Sequence, residues 1–447
     1  MKIIIAGAGE VGLHLIKMFS TGDEHNIVLI DINGQRSHFI DEHYDILTVQ
    51  GSATSISVLQ EIGMSDVDLF IAVTEKEETN ITACILAKKL GVKKTIARVD
   101  NEEYLHYQNK KILKDIGIDQ LTYPQQLAAL EIVNLIRETG VTESFEFARG
   151  KLSFFAIKLD ESAKILGKTL EEVSNSNKYL DYRAVAIERN EKTIIPTGKD
   201  IFQLHDLVYV ISNKYGIDKI MESSGKKQIN IKNIMILGGS RIGTRTAKEL
   251  QNHFNVKLID IDEHKSLEIA DKLSQTLVLH GDGRDTELLE EEGIKKIDAF
   301  IAVTDNSDTN IIACLLAKKL GVKRTIAEIE NIDYIQIAEN IGIDTIISKK
   351  YLAASSIFAE TLSAEVSSMK YLKGIDAEIL EFVVHENSLI TKKPLMHIKF
   401  PKNAIIGGIT RNDESFIAKG QSVIQPGDKV VVFALAEAVH ALEKLFK

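Results

Sequence analysis

Two glycine-containing loops carry the residues whose types and spacing best suit phosphate binding. The first loop has the pattern G-x-G-x-x-G. In this pattern the first glycine permits a tight turn, the second lets the backbone approach a pyrophosphate, and the third lets helix and strand pack closely. The free N–H groups and the positive dipole end of the following helix attract phosphate oxygens. The predicted contacts of this loop are Gly7, Ala8, Gly9, Glu10, Val11 and Gly12.

An acidic residue supplies the second part of this predicted site. Asp31 ends the next apolar run, NIVLID, at residues 26–31. A carboxylate there accepts hydrogen bonds from a ribose diol and repels a 2′-phosphate. The pattern therefore favours NAD(H), with ATP or ADP as further candidates, over NADP(H). The alternative is a glycine turn in a sheet that binds nothing.

A second loop at residues 238–243 repeats the first with one change. Ser240 replaces the middle glycine, so a side chain stands where a pyrophosphate would approach, while Asp260 matches Asp31. We expect weaker phosphate binding here, or a different ligand, with some compensating charge from Arg241. A retained fold without a ligand is the alternative. The candidate contacts of this loop are Gly238, Gly239, Ser240, Arg241, Ile242 and Gly243.

Further candidate contacts follow the neighbouring predicted strands, because ligands bind at the carboxyl ends of strands in open α/β sheets. Those in the first half are Gly51, Ser52, Val73, Thr74 and Arg98. Those in the second half are Gly281, Asp282, Thr304 and Glu328.

Two of these positions have open or contrasting interpretations. Arg98 is a candidate phosphate ligand in the first half only, since Glu328 puts an anion at the matching position. Thr74 and Thr304 face a ligand or, equally well, act as N-caps of helices that begin near Glu77 and Ser307.

An internal repeat explains why the loop occurs twice. Residues 69–101 and 299–331 align without a gap, and 22 of their 33 positions are identical. Such similarity indicates a tandem duplication. Cys84 and Cys314 occupy matching positions among apolar neighbours, which predicts core residues rather than redox groups.

The elements that position these residues alternate between apolar strands and helices. In the first half the predicted strands are KIIIA (2–6), NIVLID (26–31), DILTVQG (45–51), LFIAVT (69–74) and TIARV (95–99). Strands that are apolar throughout indicate a parallel sheet covered on both faces. The fold class is therefore α/β, with two Rossmann-like doubly wound parallel sheets. A small α+β lobe, with a mainly antiparallel sheet, follows each one.

This order of strands, helices and lobes predicts four domains. We predict dinucleotide-binding domains at 1–140 and 232–366, each followed by a small α+β lobe, at 141–225 and 367–447. A polar stretch at 221–233 is the predicted linker between the halves. Helical patterns at 121–138 and 350–364 are apolar over a wide arc, so each needs a cover, either its own domain or another subunit.

Composition narrows the class of protein. The chain has 447 residues, a net charge of −10 and two cysteines. An acidic chain argues against nucleic-acid binding, and so few cysteines suit an intracellular protein. The sequence shows neither a signal peptide nor an apolar run of membrane-spanning length. We therefore expect a cytoplasmic protein that reaches a membrane only through a partner.

The order of motifs resembles the regulator-of-potassium-conductance (RCK) family over essentially the whole chain. The residues that carry the resemblance are GAGEVG with Asp31, the FIAVT…TN…AKKLG…TIAR block, and the VVF-type strand after PGD. Ser52, where the family usually has aspartate, Ser240 and Glu328 depart from the family pattern. The resemblance implies binding of NAD(H), ATP or ADP and docking on an integral membrane potassium channel or transporter subunit of the Trk type. It also implies self-association into a dimer or a tetramer ring.

Three classes of function remain at this point. A regulatory module would bind a nucleotide and shift between two states that the membrane partner distinguishes. An NAD-dependent oxidoreductase would need an acid or base beside the nicotinamide, and the sequence offers only single histidines, such as His205 and His280, beside turns. A structural scaffold would bind nothing. We favour the regulatory module, which is not an enzyme and has neither catalytic nor metal-binding residues.

Overall fold

The computed structural model contains two units, each with its own internal contacts. The first unit comprises Met1–Ala128 and Ser348–Thr361, and the second comprises residues 129–347 and 362–447. The four predicted domain boundaries stay a prediction, and the predicted boundary at 140/141 and part of the predicted linker lie outside the described residues. The structure describes residues 1–20, 25–137, 143–147, 150–176, 181–190, 192–213, 215–225, 230–331, 333–361, 366–372 and 377–447.

The first unit is built on a six-stranded parallel sheet with the order β3-β2-β1-β4-β5-β6. Its strands are β1 (Lys2–Ala6), β2 (Asn26–Asp31), β3 (Leu47–Gln50), β4 (Leu69–Ala72), β5 (Lys94–Arg98) and β6 (Gln120–Thr122). Its connecting helices are α1 (Glu10–Phe19), α2 (Gly34–His43), α3 (Ile56–Ile62), α4 (Glu77–Lys89) and α5 (Tyr107–Asp115). The helix α6 (Pro124–Arg137) follows β6, and its residues from 129 onward belong to the second unit. Because the strand order reverses beside β1, the ends of β1 and β4 form the crevice where such sheets bind ligands.

The core of the first unit confirms the predicted apolar pattern. Val11, Leu15 and Met18 of α1 are buried, as their helical spacing predicts. Cys84 is fully buried and burial raises the pKa of its thiol, as is also the case for Cys314 in the second unit. The prediction that both cysteines are core residues is confirmed.

One helix of the first unit comes from far along the chain. The helix α14 (Lys349–Ala359) packs against α1, with the rings of Phe358 and Phe19 5.1 Å apart. At the other end of the contact, the rings of Tyr351 and His14 lie edge to face at 4.2 Å. The apolar arc predicted at 350–364 is therefore covered by α1, within the first unit of the same chain.

The second unit contains the second parallel sheet, with the order β14-β13-β12-β15-β16-β17. Its strands are β12 (Asn233–Leu237), β13 (Asn255–Asp260), β14 (Thr276–His280), β15 (Ala299–Ala302), β16 (Arg324–Glu328) and β17 (Thr345–Ile347). Its helices are α9 (Arg241–Leu250), α10 (Glu263–Lys272), α11 (Thr286–Glu291), α12 (Ser307–Lys319) and α13 (Asp333–Asn340). The predicted duplication of the parallel sheet is therefore confirmed.

Two five-stranded antiparallel sheets complete the second unit, with the orders β10-β9-β11-β8-β7 and β18-β19-β22-β20-β21. The first contains β7 (Glu143–Phe147), β8 (Leu152–Lys158), β9 (Tyr182–Arg189), β10 (Lys192–Ile194) and β11 (Leu207–Asn213), with helices α7 (Leu170–Ser176) and α8 (Ile217–Ser223). The second contains β18 (Val366–Leu372), β19 (Ala377–Val383), β20 (Ala404–Arg411), β21 (Glu414–Ile417) and β22 (Lys429–Leu435), with helix α15 (Val439–Phe446). Short 3₁₀ turns lie at Met64–Asp66, Glu102–Leu105, Ile294–Lys296, Leu389–Thr391, Leu395–His397 and Ala436–Ala438.

The two antiparallel sheets share a core and repeat one turn. Tyr209 and Phe433, one from each sheet, lie in the same buried cluster. His205 and Gly427 occupy the matching turns and both have left-handed backbone angles, with φ of 70° and 85°. This agreement supports the predicted equivalence of the two lobes, and the fold class predicted from the sequence is confirmed. Within the described residues, no helix is both long and apolar enough to span a bilayer.

Candidate functional site

Two glycines of the first loop are required by the fold itself. Gly7 has a φ of +115°, and a Cβ atom there would lie 2.9 Å from the backbone nitrogen of Thr74. A Cβ atom at Gly12 would lie 1.9 Å from the carbonyl oxygen of Gly7. Both positions therefore exclude any larger residue for reasons of backbone packing, whether or not a ligand binds.

Gly9 has no such structural reason to be glycine. Its φ of −72° suits any residue, and a Cβ atom there would meet no atom within 4 Å among the residues that the structure describes. Gly9 is also the N-cap of α1, and no side chain caps this helix end. The backbone over Gly9 is therefore open to an incoming group, and the helix end behind it offers the N–H groups that suit an anion.

Asp31 holds the loop from the end of β2. Its Oδ2 accepts a hydrogen bond from the N–H of Ala8 at 2.5 Å, and its Oδ1 accepts one from the N–H of Asn33 at 2.7 Å. A carboxylate has about four acceptor sites, so the two oxygens retain capacity for further donors. Asp31 is only partly buried. Its predicted contact with a ribose is compatible with this geometry and stays a prediction.

A buried asparagine organises the ends of β4 and β5, and sequence analysis missed it. Oδ1 of Asn80 accepts from the backbone N–H of Thr74 at 2.8 Å and from its hydroxyl at 2.6 Å. Nδ2 of Asn80 donates to the carbonyl oxygens of Thr74 and Arg98, at 3.1 and 3.0 Å. The signal in the sequence was the TN pair that both repeats share.

Thr74 is therefore a part of this turn and not a helix cap. The N-cap of α4 is Lys76, and that of α12 in the second unit is Asn306. The N-cap interpretation of Thr74 and Thr304 is wrong, because the hydroxyl of each threonine bonds to the asparagine six residues later.

Arg98 lies at the end of β5 among carboxylates. Its Nη2 is 3.3 Å from Asp100, and its side chain is 22% exposed. Asp100 also accepts a hydrogen bond from Nε2 of Gln125 at 2.9 Å. Glu77 accepts from the N–H groups of Asp100 and Asn101. Arg98 is therefore held by a long ion pair near the carboxyl edge of the sheet, and its role as a phosphate ligand stays a prediction.

The remaining predicted contacts of the first site lie at the same edge of the sheet. Gly51 donates its N–H to the carbonyl of Asp31 at 2.9 Å, and Ser52 bonds through its hydroxyl to Thr54 at 2.9 Å. Val73 is buried directly after β4. Glu10 and Val11 begin α1, with Glu10 exposed and Val11 in the core. The structure thus places the predicted first-half residues at the carboxyl ends of neighbouring strands of the first sheet.

The second loop has the same turn but a closed helix end. Gly238 has a φ of +105°, and a Cβ atom at Gly243 would lie 2.0 Å from the carbonyl oxygen of Gly238. The Ser240 hydroxyl accepts a hydrogen bond from the N–H of Gly243 at 3.2 Å and donates one to the carbonyl of Val303 at 2.6 Å. Ser240 therefore occupies, as the N-cap of α9, the helix end that Gly9 leaves open.

Two acidic side chains of the second site pair with basic side chains. Asp260 is 6% exposed, accepts the N–H of Gly239 at 2.5 Å and lies 3.4 Å from the ammonium of Lys265. Asp282 forms two hydrogen bonds to Arg284, at 3.0 and 2.8 Å, and these hold the pKa of its carboxyl below the usual range.

The other second-half candidates take positions that match the first half. Thr304 bonds to Asn310 as Thr74 does to Asn80. Gly281 donates its N–H to the backbone carbonyl of Asp260, and Glu328 is buried at the end of β16. Arg241 and Ile242 are the first residues of α9. In the second half, a serine cap and the buried carboxyl groups of Asp260 and Glu328 thus stand where the first half has Gly9, the partly buried Asp31 and Arg98.

A lysine distant in sequence also reaches the first loop. Nζ of Lys350, on α14, lies 2.6 Å from Oε2 of Glu10 at the start of α1. Sequence analysis missed this residue, because nothing in the local pattern around position 350 places it beside position 10.

Comparison with known proteins agrees with the fold described above. The TrkA-N domain model matches residues 3–124 and 234–349, and the TrkA-C domain model matches 154–225 and 379–447. A curated relative, Trk system potassium uptake protein TrkA homolog 1 of Methanosarcina mazei, is 33% identical over 457 residues, covering 100% of both chains. Two solved structures share the fold. "Crystal Structure of the GsuK RCK domain" has a TM-score of 0.59 at 18% identity, with 100% of this chain and 94% of that chain covered. "GsuK channel bound to NAD" has a TM-score of 0.57 at 17% identity, with 100% and 78% covered.

Proposed function

The chain belongs to the TrkA family, and from this premise we propose that it is the nucleotide-binding regulatory subunit of a Trk-type potassium uptake system. In this proposal NAD(H), or ATP or ADP, binds at the first glycine loop. The bound nucleotide stabilises one packing of the domains, and an integral membrane channel or transporter subunit responds to it. A ligand achieves this only if it binds the two states with different affinity.

The observation that carries the proposal is the open backbone over Gly9. The fold requires glycine at positions 7 and 12, whereas no atom of the described residues lies within 4 Å of a Cβ placed on Gly9. In the proposal a phosphate group of the nucleotide lies there, against the N-terminus of α1, where Gly9 supplies no side-chain cap. The shared fold supports the same proposal, since one protein of similar fold is a channel bound to NAD.

The predicted partners and location belong to the same proposal. We infer that the protein docks on the inner face of the cell membrane through its transporter subunit. The relative from Methanosarcina mazei is named for potassium uptake, which supports this inference. We further infer that paired chains assemble into a dimer or a tetramer ring.

The second loop has a subordinate role in the proposal. Ser240 caps α9 and Asp260 is paired with Lys265, so the two groups that would contact a pyrophosphate and a ribose already have protein partners. We propose that this loop binds NAD(H) more weakly than the first.

An oxidoreductase is the alternative function, and no contact among the described residues specifically favours it. The polar side chains at the edge of the first sheet bond mainly to one another, as in the bonds of Asn80 to Thr74 and of Gln125 to Asp100. These groups position backbone, and they leave the site suited to binding. Steady oxidation of NADH by the purified protein with a carbonyl substrate would favour the alternative.

Potassium uptake in cells tests the proposal directly. A strain without its own potassium uptake systems would produce the cognate membrane subunit together with the wild-type chain, Gly9→Ser or Ser240→Ala. Gly9→Ser gives the first loop the residue of the second, and serine is a good N-cap, so the fold should persist. We expect Gly9→Ser to lose nucleotide binding and nucleotide-dependent uptake, and Ser240→Ala to retain both. Normal regulation in Gly9→Ser would contradict the proposal.

A further inference from the structure

We propose that Lys350 is part of the first nucleotide site, where its ammonium neutralises Glu10 and contributes positive charge to the phosphates of the bound nucleotide. The inference rests on the proposed function, because it concerns the same site. It assigns to that site a residue encoded more than 300 positions away from the glycine loop.

The first step is the position of Glu10. It directly follows Gly9 and is the first residue of α1, so its carboxylate stands beside the open helix end. Acidic residues in a first helical turn stabilise the helix, but here the same charge repels a phosphate that approaches the N-terminus. A site for polyphosphates therefore needs a cation that offsets Glu10.

The second step is the placement of Lys350. The contact between Nζ of Lys350 and Oε2 of Glu10 is 2.6 Å, and the two side chains are 24% and 43% exposed. The helix α14 is fixed against α1 by the rings of Phe358 and Tyr351, so Lys350 does not depend on its ion pair to stay at this place. An ammonium on a flexible four-carbon stem has three donors, and it can serve a carboxylate and a phosphate oxygen together.

The third step separates this role from simple docking of the helix. The far end of α14 has its own ion pair, in which Nζ of Lys94 lies 3.0 Å from Oε2 of Glu360. This second pair also joins α14 to the first unit, yet it lies beside β5 at the opposite end of the helix from Lys350. It provides a matched control, since its loss weakens the docking of α14 without altering the charge near the loop.

The test is calorimetric titration of the intact protein with ATP, ADP and NADH at low and high salt. We expect Lys350→Met to weaken ATP binding about tenfold at low salt, ADP less and NADH least, because the effect grows with phosphate charge. Glu10→Gln should act in the opposite direction and tighten ATP binding. Lys94→Met should leave all three affinities within about twofold of wild type.

The outcomes distinguish the inference from the proposed function. The inference would be overturned if both Lys350→Met and Glu10→Gln lost nucleotide affinity. It would also be overturned if Lys350→Met and Lys94→Met lost affinity equally. Either result would mean that the ion pair of Lys350 and Glu10 only docks the helix α14. Unchanged affinities in Lys350→Met would also overturn it. Absence of binding to the wild-type protein would instead contradict the proposed function.

Discussion

At the scale of single residues, the three glycines of the first loop have different physical roles. Gly7 and Gly12 are fixed by backbone contacts of 2.9 and 1.9 Å to a hypothetical Cβ atom, whereas Gly9 faces open space. Conformation and close packing explain the first two glycines. Packing does not require the third glycine, and a bound phosphate supplies a reason for glycine there beyond its N-cap position.

This difference predicts opposite results for two alanine substitutions. Gly12→Ala forces a methyl group against the carbonyl of Gly7, so we expect destabilisation by about 2 kcal/mol or more. Gly9→Ala meets no atom and should cost about 0.5 kcal/mol at most, through the poorer N-cap. Thermal unfolding together with nucleotide titration checks this, and we expect Gly9→Ala to keep the melting temperature while it weakens binding. A strongly destabilised Gly9→Ala variant would contradict it.

The residue scale also shows which parts of the site the sequence predicts. The glycine loop and Asp31 are predictable, because their roles depend on a local pattern of turn, strand and helix. Lys350 is not predictable, because its contact with Glu10 arises from the docking of a helix that follows the second sheet. Ser240 was predicted to obstruct a phosphate, and the structure adds that its hydroxyl caps the helix.

At the scale of elements, buried polar side chains fix how strands end beside the loops. Asn80 and Asn310 are almost completely buried, and each joins the ends of two neighbouring strands. The five strands predicted for the first half match observed strands to within a few residues, because they follow from apolar periodicity. The short strand β6 (Gln120–Thr122) was not predicted, since residues 121 and 122 were included in the helical pattern at 121–138. The asparagines were missed because a polar residue in an exposed-looking TN pair gives no periodic signal.

Loss of one asparagine should loosen one sheet edge only. Asn80→Ala removes the acceptor of the Thr74 N–H and the donor to two carbonyl oxygens. Because buried groups left without partners are costly, we expect destabilisation of about 3 kcal/mol in the first unit. Hydrogen exchange should show faster exchange at residues 69–82 in Asn80→Ala and at 299–312 in Asn310→Ala. Slow exchange at both segments in both variants would contradict this role.

A buried carboxyl in the last antiparallel sheet predicts a pH dependence of stability. Glu378, on β19, is 2% exposed, and burial together with the charge of Glu443 raises its pKa from 4.5 to about 8. Glu443 itself lies near His440 on α15, at 3.8 Å. Since the folded state holds a proton that the unfolded state has released, stability is retained below about pH 4.5 and falls as pH rises toward 8.

Glu378→Gln removes this dependence, because glutamine keeps the shape and does not titrate. We expect the difference in unfolding free energy between Glu378→Gln and wild type to be larger, in favour of the variant, at pH 8.5 than at pH 5. The increase should be on the order of 3 kcal/mol. Chemical denaturation at both pH values measures the change, with the exposed Glu386→Gln as the control. An equal difference between Glu378→Gln and wild type at the two pH values would contradict a buried, protonated carboxyl.

At the scale of the whole molecule, the duplicated halves share their strand order and differ in the chemistry of their glycine loops. Both parallel sheets have the same strand order, and both glycine loops make the same turn. The first loop ends in an open helix N-terminus, whereas the second ends in a serine cap with a buried aspartate behind it. The repeat itself was visible in the sequence. The membership of α14 in the first unit was not visible there, because local periodicity does not show which distant part of the chain a helix packs against.

The central claim is that the first loop binds a nucleotide, and calorimetric titration of the intact chain with NADH and separately with ATP tests it most directly. We predict one tight site per chain, lost in Gly9→Ser and retained in Ser240→Ala, with the melting temperature of both variants close to that of wild type. Absence of binding to the wild-type chain would contradict the claim, as would full affinity in a folded Gly9→Ser variant.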